Sequence, residues 1–258
     1  MLNKLLKYDF KIFFKNIIPI YLITILLALL NRLFNFLGDE IYIFKYPGGF
    51  ITFACFALLI GGPIVAFIIS IIKYYSSMTK DEAYLTHTLP VKKSKIIISK
   101  LIVSFVLMIS SLAVSILGLM IAVNLNYNAI FDFIKLISKE LGTLFIILLL
   151  VAAIVGYVSN ILTIYLSIAL GQKCNGNKKV YSIIFGIVIY NVSQIVSTLL
   201  LFIPAIFNKS YMQKFTEEVP TISFLNGFMI YAIIITVAIT GIFYIFTVKI
   251  MEKKLNLD

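Results

Sequence analysis

The chain has 258 residues, with no tryptophan, one histidine, two cysteines and 11 acidic residues, and each scarcity removes a class of function. Without Trp, an aromatic belt at a membrane boundary falls to Tyr. Tyr21, Tyr42, Tyr46, Tyr74, Tyr75, Tyr127, Tyr181 and Tyr211 all lie near the ends of apolar runs. The lone His87 has no second histidine with which to chelate a metal. Cys55 lies inside an apolar run and Cys174 in a short polar stretch, so two free thiols are expected, and no metal-ligand spacing exists. The acidic pairs Asp39-Glu40, Asp81-Glu82 and Glu217-Glu218 fall between the apolar runs, where charge is solvated. Within the runs, no carboxylate or lysine of the kind that marks proton relays is expected. With no convergent nucleophiles, acids or metal ligands, neither a catalytic site nor a cofactor is expected. A G-x-x-x-x-G-K-[ST] phosphate loop is missing too, so ATP binding by that route is not expected.

What is abundant is apolar. Hydrophobic residues make up 61% of the chain and charged residues 13%, against ~45–50% apolar content in a soluble domain, and the mean hydropathy is +1.06. These values predict an all-α integral membrane protein, a single transmembrane domain over residues 1–258 without soluble domain, linker or repeat. Six runs are long enough for a ~30 Å hydrocarbon core at ~1.5 Å per residue. They are Ile17 to Phe36, Phe50 to Ile72, Leu101 to Val123, Thr143 to Leu170, Val180 to Phe207, and Phe224 to Val248. The fourth and fifth are overlong and must tilt, kink or emerge. Pro204 is expected to break the fifth near its far end, and Gly61-Gly62-Pro63 to kink or loosen the second.

Residues 1–16 read as an amphipathic helix. Leu2, Leu5, Leu6, Phe10, Phe13, Phe14 and Ile17 recur at helical spacing, and Lys4, Lys7, Lys11 and Lys15 follow the other face, toward anionic headgroups. Pro19 marks the expected elbow into the first span. A second amphipathic stretch, within residues 124–142, sets Ile130, Phe133, Ile134, Ile137 and Leu141 against Asp132, Lys135, Lys139 and Glu140, predicting a short helix on the outer surface. Gly171 is a candidate C-cap for the fourth span.

The net charge of +11 is unevenly placed. With the N-terminus inside, sixteen of the 22 basic residues fall on the inner side, Lys100 among its headgroup anchors. On the outer side Arg32, Lys45, Lys135, Lys139, Lys209 and Lys214 are balanced by six acids. The positive-inside rule therefore puts both termini in the cytoplasm and favours a membrane surface over nucleic acid as the target of the charge.

The longest charged interruption, Met78 to Lys100, separates the second and third spans. Thr79-Lys80-Asp81-Glu82 fits a capping box, Leu85 and Leu89 share a face, and Pro90 stops the helix they would form. Ser94 is placed to cap the third span. Residues 78–95 thus read as a short surface helix followed by a basic stretch. Polar groups inside the spans are neutral. Asn160 with Thr163, and Asn191 with Gln194, stand three apart on shared faces; each pair could line a pathway or hydrogen-bond neighbouring helices.

The elbow segment L-L-K-Y-D-F-K-I-F-F-K, the six spans and D-E-A-Y-L-T-H-T-L-P-V-K-K-S-K-I-I-I-S-K together resemble the membrane subunits of bacterial ABC exporters of the ABC-2 type. The resemblance implies a permease in the bacterial cell membrane, working as a dimer with an identical or related subunit and with separate ATPase subunits that hydrolyse ATP. It implies that Asp81, Glu82, Tyr84, Leu85, Thr88, Leu89 and Pro90 form the coupling segment that contacts the ATPase. The short outer loops leave the substrate open among peptides, antibiotics and lipid-like molecules. Two other readings stand beside it: a solitary secondary transporter, and a non-transporting immunity or scaffold protein of the membrane.

Overall fold

The structure, a computed structural model, describes residues 2–40, 45–79, 91–124, 127–207 and 221–252. Within them the chain forms α1 (Leu2–Glu40), α2 (Lys45–Thr79), α3 (Lys93–Val123), α4 (Tyr127–Leu141), α5 (Thr143–Gly171), α6 (Lys178–Phe207) and α7 (Ile222–Glu252). No strand occurs among the described residues. All but α4 contain apolar stretches of 29–36 residues, long enough to cross a membrane. In hydrocarbon every backbone N–H and C=O must be bonded internally, which helices of this length achieve. The protein is an all-helical, multi-pass membrane protein.

Two helix boundaries coincide with a positive φ. Asn124 takes φ 53° after α3. Gly142, at φ 84°, separates α4 from α5 while its N–H donates to the Ser138 carbonyl at 3.1 Å, a conformation glycine adopts without the Cβ clash other residues meet. The helix expected within residues 124–142 is present as α4.

Two compact units make up the chain, Met1–Tyr74 with Ser94–Phe133, and Tyr75–Lys93 with Ile134–Asp258. In the first unit α3 buries a stripe of Ile96, Ile97, Val103 and Leu107 interleaved with the small residues Ser99, Ser104, Ser111, Gly118 and Ala122. Small residues let membrane helices approach closely. A Cβ at Gly118 would fall 2.6 Å from the Leu59 side chain of α2 and 3.8 Å from Thr24 of α1. One apolar cluster joins Phe13 and Ile17 of α1, Ala66 of α2, and Val103 and Leu107 of α3; another joins Ala28, Cys55, Leu59 and Ala122. Polar links tie the same helices. The Tyr21 hydroxyl meets Ser110 Oγ at 2.8 Å, and Asn31 Nδ2 donates to the Ala122 carbonyl at 3.3 Å while Oδ1 accepts from Thr52 at 2.6 Å. Ala122 belongs to the last turn of α3, whose carbonyls lack intrahelical partners. Tyr21 is thus part of the helix packing and Tyr74 is wholly buried, so neither serves the aromatic belt expected of them.

The prolines do not interrupt their helices. α1 runs through Pro19, α2 through Pro63 and α6 through Pro204. A proline lacks the N–H that would bond the carbonyl four residues earlier. For Pro63 that carbonyl is Leu59, and Ser115 Oγ of α3 donates to it at 2.7 Å. For Pro204 it is Leu200, and the Tyr231 hydroxyl of α7 donates to it at 2.9 Å. For these two prolines a neighbouring helix supplies the missing donor, and the break expected at Pro204 does not occur before Phe207. Ser115→Ala is expected to lower stability by about 1 kcal/mol, and to cost far less in a Pro63→Ala background, where the helix regains its own donor. Equal cost in both backgrounds, by thermal unfolding in detergent, would refute the compensation.

In the second unit Leu166 and Ala169 of α5 pack with Ile250 of α7, flanked by Ile189 and Phe243. Gly171 is the last residue of α5 rather than its cap; the cap position is Gln172, whose N–H donates to the Ile168 carbonyl at 3.2 Å. Gly171 is required instead by close approach, since a Cβ there would lie 2.7 Å from Ser182 N and 2.8 Å from its Cα. Two further boundaries differ from expectation. Thr79 is the last residue of α2, the helix expected to follow it lies outside the described residues, and Ser94 lies inside α3, which begins at Lys93.

Candidate functional site

Where the N-terminal stretch of α1 meets the beginning of α3, the first unit holds a charged cluster that the sequence reading did not pair. Along α1, Lys4, Lys7, Lys11 and Lys15 are exposed, whereas Asp9 is only 4% exposed. Spaced four and eight residues before Phe13 and Ile17, Asp9 shares their buried face. On α3, Lys100 is 6% exposed and sits in the buried stripe between Ile97 and Val103. Lys100 Nζ lies 3.4 Å from Asp9 Oδ1, and Ser99 Oγ donates to Asp9 Oδ2 at 2.6 Å. Both carboxylate oxygens are therefore engaged. Removing two charges from water costs several kcal/mol each, and only such pairing offsets it.

Both residues fall within helices apolar enough to cross a membrane. Both nonetheless precede the apolar runs that begin at Ile17 and Leu101, so the expectation for those runs is not touched, whereas Lys100 is a buried partner of Asp9 rather than a headgroup anchor. A signal was present in the sequence: a carboxylate on the apolar face of an amphipathic helix, opposite its lysines, demands a cation. Composition-level charge counting passed over it.

Asn160, Thr163, Asn191 and Gln194 all lie in the second unit. Asn160 and Asn191 are exposed and fold their amides onto their own helices, to the Gly156 carbonyl at 2.9 Å and the Ile187 carbonyl at 2.8 Å. Gln194 is exposed beside Asn191 on α6, whereas Thr163 is buried and donates to the Ser159 carbonyl at 2.9 Å. The α6 pair thus shares an outward face and the α5 pair is divided between surface and interior.

Asp81, Glu82, Tyr84, Leu85, Thr88, Leu89 and Pro90, with His87, lie outside the described residues. Cys55 is buried, and Cys174 is partly exposed after α5. No family model, curated protein or solved structure matches the chain.

Proposed function

We propose that this chain is the transmembrane subunit of an ATP-driven ABC exporter in a bacterial cell membrane, with both termini cytoplasmic and separate ATPase subunits bound to the connection between α2 and α3. The observation that carries the reading is the charged sequence D-E-A-Y-L-T-H-T-L-P-V-K-K-S-K between two membrane-length helices, which resembles the coupling segment of ABC-2 permeases. The N-terminal stretch of α1, with its exposed lysines, supports it as the counterpart of the elbow helix.

A permease of this kind has no energy source of its own. Two copies, or one copy and a related subunit, enclose the substrate path, and ATP-driven closure of the ATPase pair must favour one arrangement of the helices over the other. Moving such an equilibrium from 1:99 to 99:1 takes about 5.5 kcal/mol of differential affinity. The connection transmits it through Leu85 and Leu89 as apolar anchors and Asp81 and Glu82 as charged ones. Asn160, Thr163, Asn191 and Gln194 are the polar groups proposed for the path, which suits amphipathic rather than ionic substrates.

Leu85→Asp, or Glu82→Lys, is expected to abolish transport while membrane insertion, followed by a fluorescent tag, stays at the parental level. Full export activity by both variants would sink the docking assignment. The topology is tested separately through Cys174. An impermeant thiol reagent added outside intact cells is expected to leave it unlabelled and to label it after lysis; labelling in intact cells would invert the orientation.

A further inference from the structure

We propose that Asp9, Ser99 and Lys100 are positioning residues that lock α1 to the inner end of α3, so that displacement arriving at the start of α3 is delivered to the whole of α1. The inference rests on the exporter reading, which makes the start of α3 the place where such displacement arrives. Lys100 stands about two helical turns, ~10 Å, beyond Lys93. That stretch is continuous helix, and Ser99 and Lys100 tie it to Asp9 of α1. Deeper in the unit the two helices stay in register, through Phe13 and Ile17 against Val103 and Leu107, then Tyr21 with Ser110, then Asn31 with the Ala122 carbonyl.

The chemistry of the contact argues for register rather than adhesion. Apolar side chains of similar volume would hold two helices as firmly, since desolvation offsets much of a buried ion pair. They would also tolerate sliding by a fraction of a turn. A carboxylate with one oxygen on Lys100 and the other on Ser99 does not, because a slip of one residue on either helix removes Asp9 from both partners and strands it away from water. The lysines of α1 cannot substitute, since Lys4, Lys7, Lys11 and Lys15 lie on the exposed side of the helix. The pair thus fixes α1 and α3 as one body with one register.

The test uses the permease purified with its co-eluting ATPase and reconstituted in vesicles. Asp9→Asn with Lys100→Gln keeps the volume and leaves no stranded charge. This double variant is expected to hydrolyse ATP with a kcat at least fivefold lower, while the KM for ATP and the subunit ratio stay as in the parent. The reversed pair, Asp9→Lys with Lys100→Asp, which restores the ion pair but not the Ser99 bond, is expected to recover to within threefold. Ser99→Ala, which keeps both charges, is a milder second variant with an expected two- to threefold loss. Unchanged kcat in the neutral pair and in Ser99→Ala overturns the proposal while leaving the exporter reading standing. So does a loss of subunit ratio or yield in step with kcat, including failure of the variants to fold, because the residues are then structural only. Absence of any ATPase in the parental preparation overturns the proposal together with the reading beneath it.

Discussion

Lys100→Met is expected to lower the stability of the protein by about 3–5 kcal/mol, the usual cost of leaving one member of a buried pair without its partner. Asp9 is 4% exposed, and after the substitution its carboxylate would keep only the Ser99 hydroxyl. Adding Asp9→Leu to Lys100→Met is expected to return most of the loss, since two apolar groups at the same contact need no solvent. Cys55, fully buried beside Leu59 and Ala122, provides the readout. With Cys174→Ser to remove the partly exposed thiol, a fluorogenic thiol reagent reports unfolding when Cys55 becomes accessible. A single variant as stable as the parent, or a double variant no better than the single, would show that the pair is not buried as described.

The second large effect is expected at the turn between α5 and α6. Gly171→Ala places a methyl group against Ser182 N and Cα, at 2.7 and 2.8 Å, and these are backbone atoms that cannot rotate aside. Ser182 Oγ is itself bonded to the Lys178 carbonyl at 2.7 Å, which holds that first turn of α6 in place. Overpacking in a well-packed site costs typically 1–3 kcal/mol, and the upper end, about 3 kcal/mol, is expected where the backbone must give. Gly156→Ala on the same helix is the control. Nothing lies within 4 Å of its Cβ position, so the change is expected to be neutral or to stabilise α5 by about 0.5–1 kcal/mol through helix propensity. Similar melting of the two variants would show that the close approach is not present.

Much of the architecture could be read from residue order alone, because hydrocarbon leaves few choices. The six apolar runs become helices for want of another way to bond their backbones, and the stripe of Ile134, Ile137 and Leu141 against Lys135 and Lys139 falls in α4. What could not be read were features that depend on a partner far along the chain. Pro204 looks like a break until Tyr231 is found on Leu200, and Pro63 until Ser115 is found on Leu59. Gly171 looks like a cap until Ser182 is found against it. Asp9 and Lys100 are ordinary interfacial charges singly, and only their pairing across some ninety positions makes them internal. The segment from Asp81 to Pro90 carries the proposed partner contact on its sequence pattern alone.

The most direct test is to tag the chain, purify it gently in detergent from its native host, and identify what elutes with it while assaying ATP hydrolysis. The exporter reading predicts a nucleotide-binding subunit in stoichiometric amount, ATPase activity in the same fractions, and loss of both when Leu85 and Leu89 are made acidic. A chain that elutes alone, without ATPase activity, would contradict it and leave a solitary transporter or a membrane-bound immunity protein in its place.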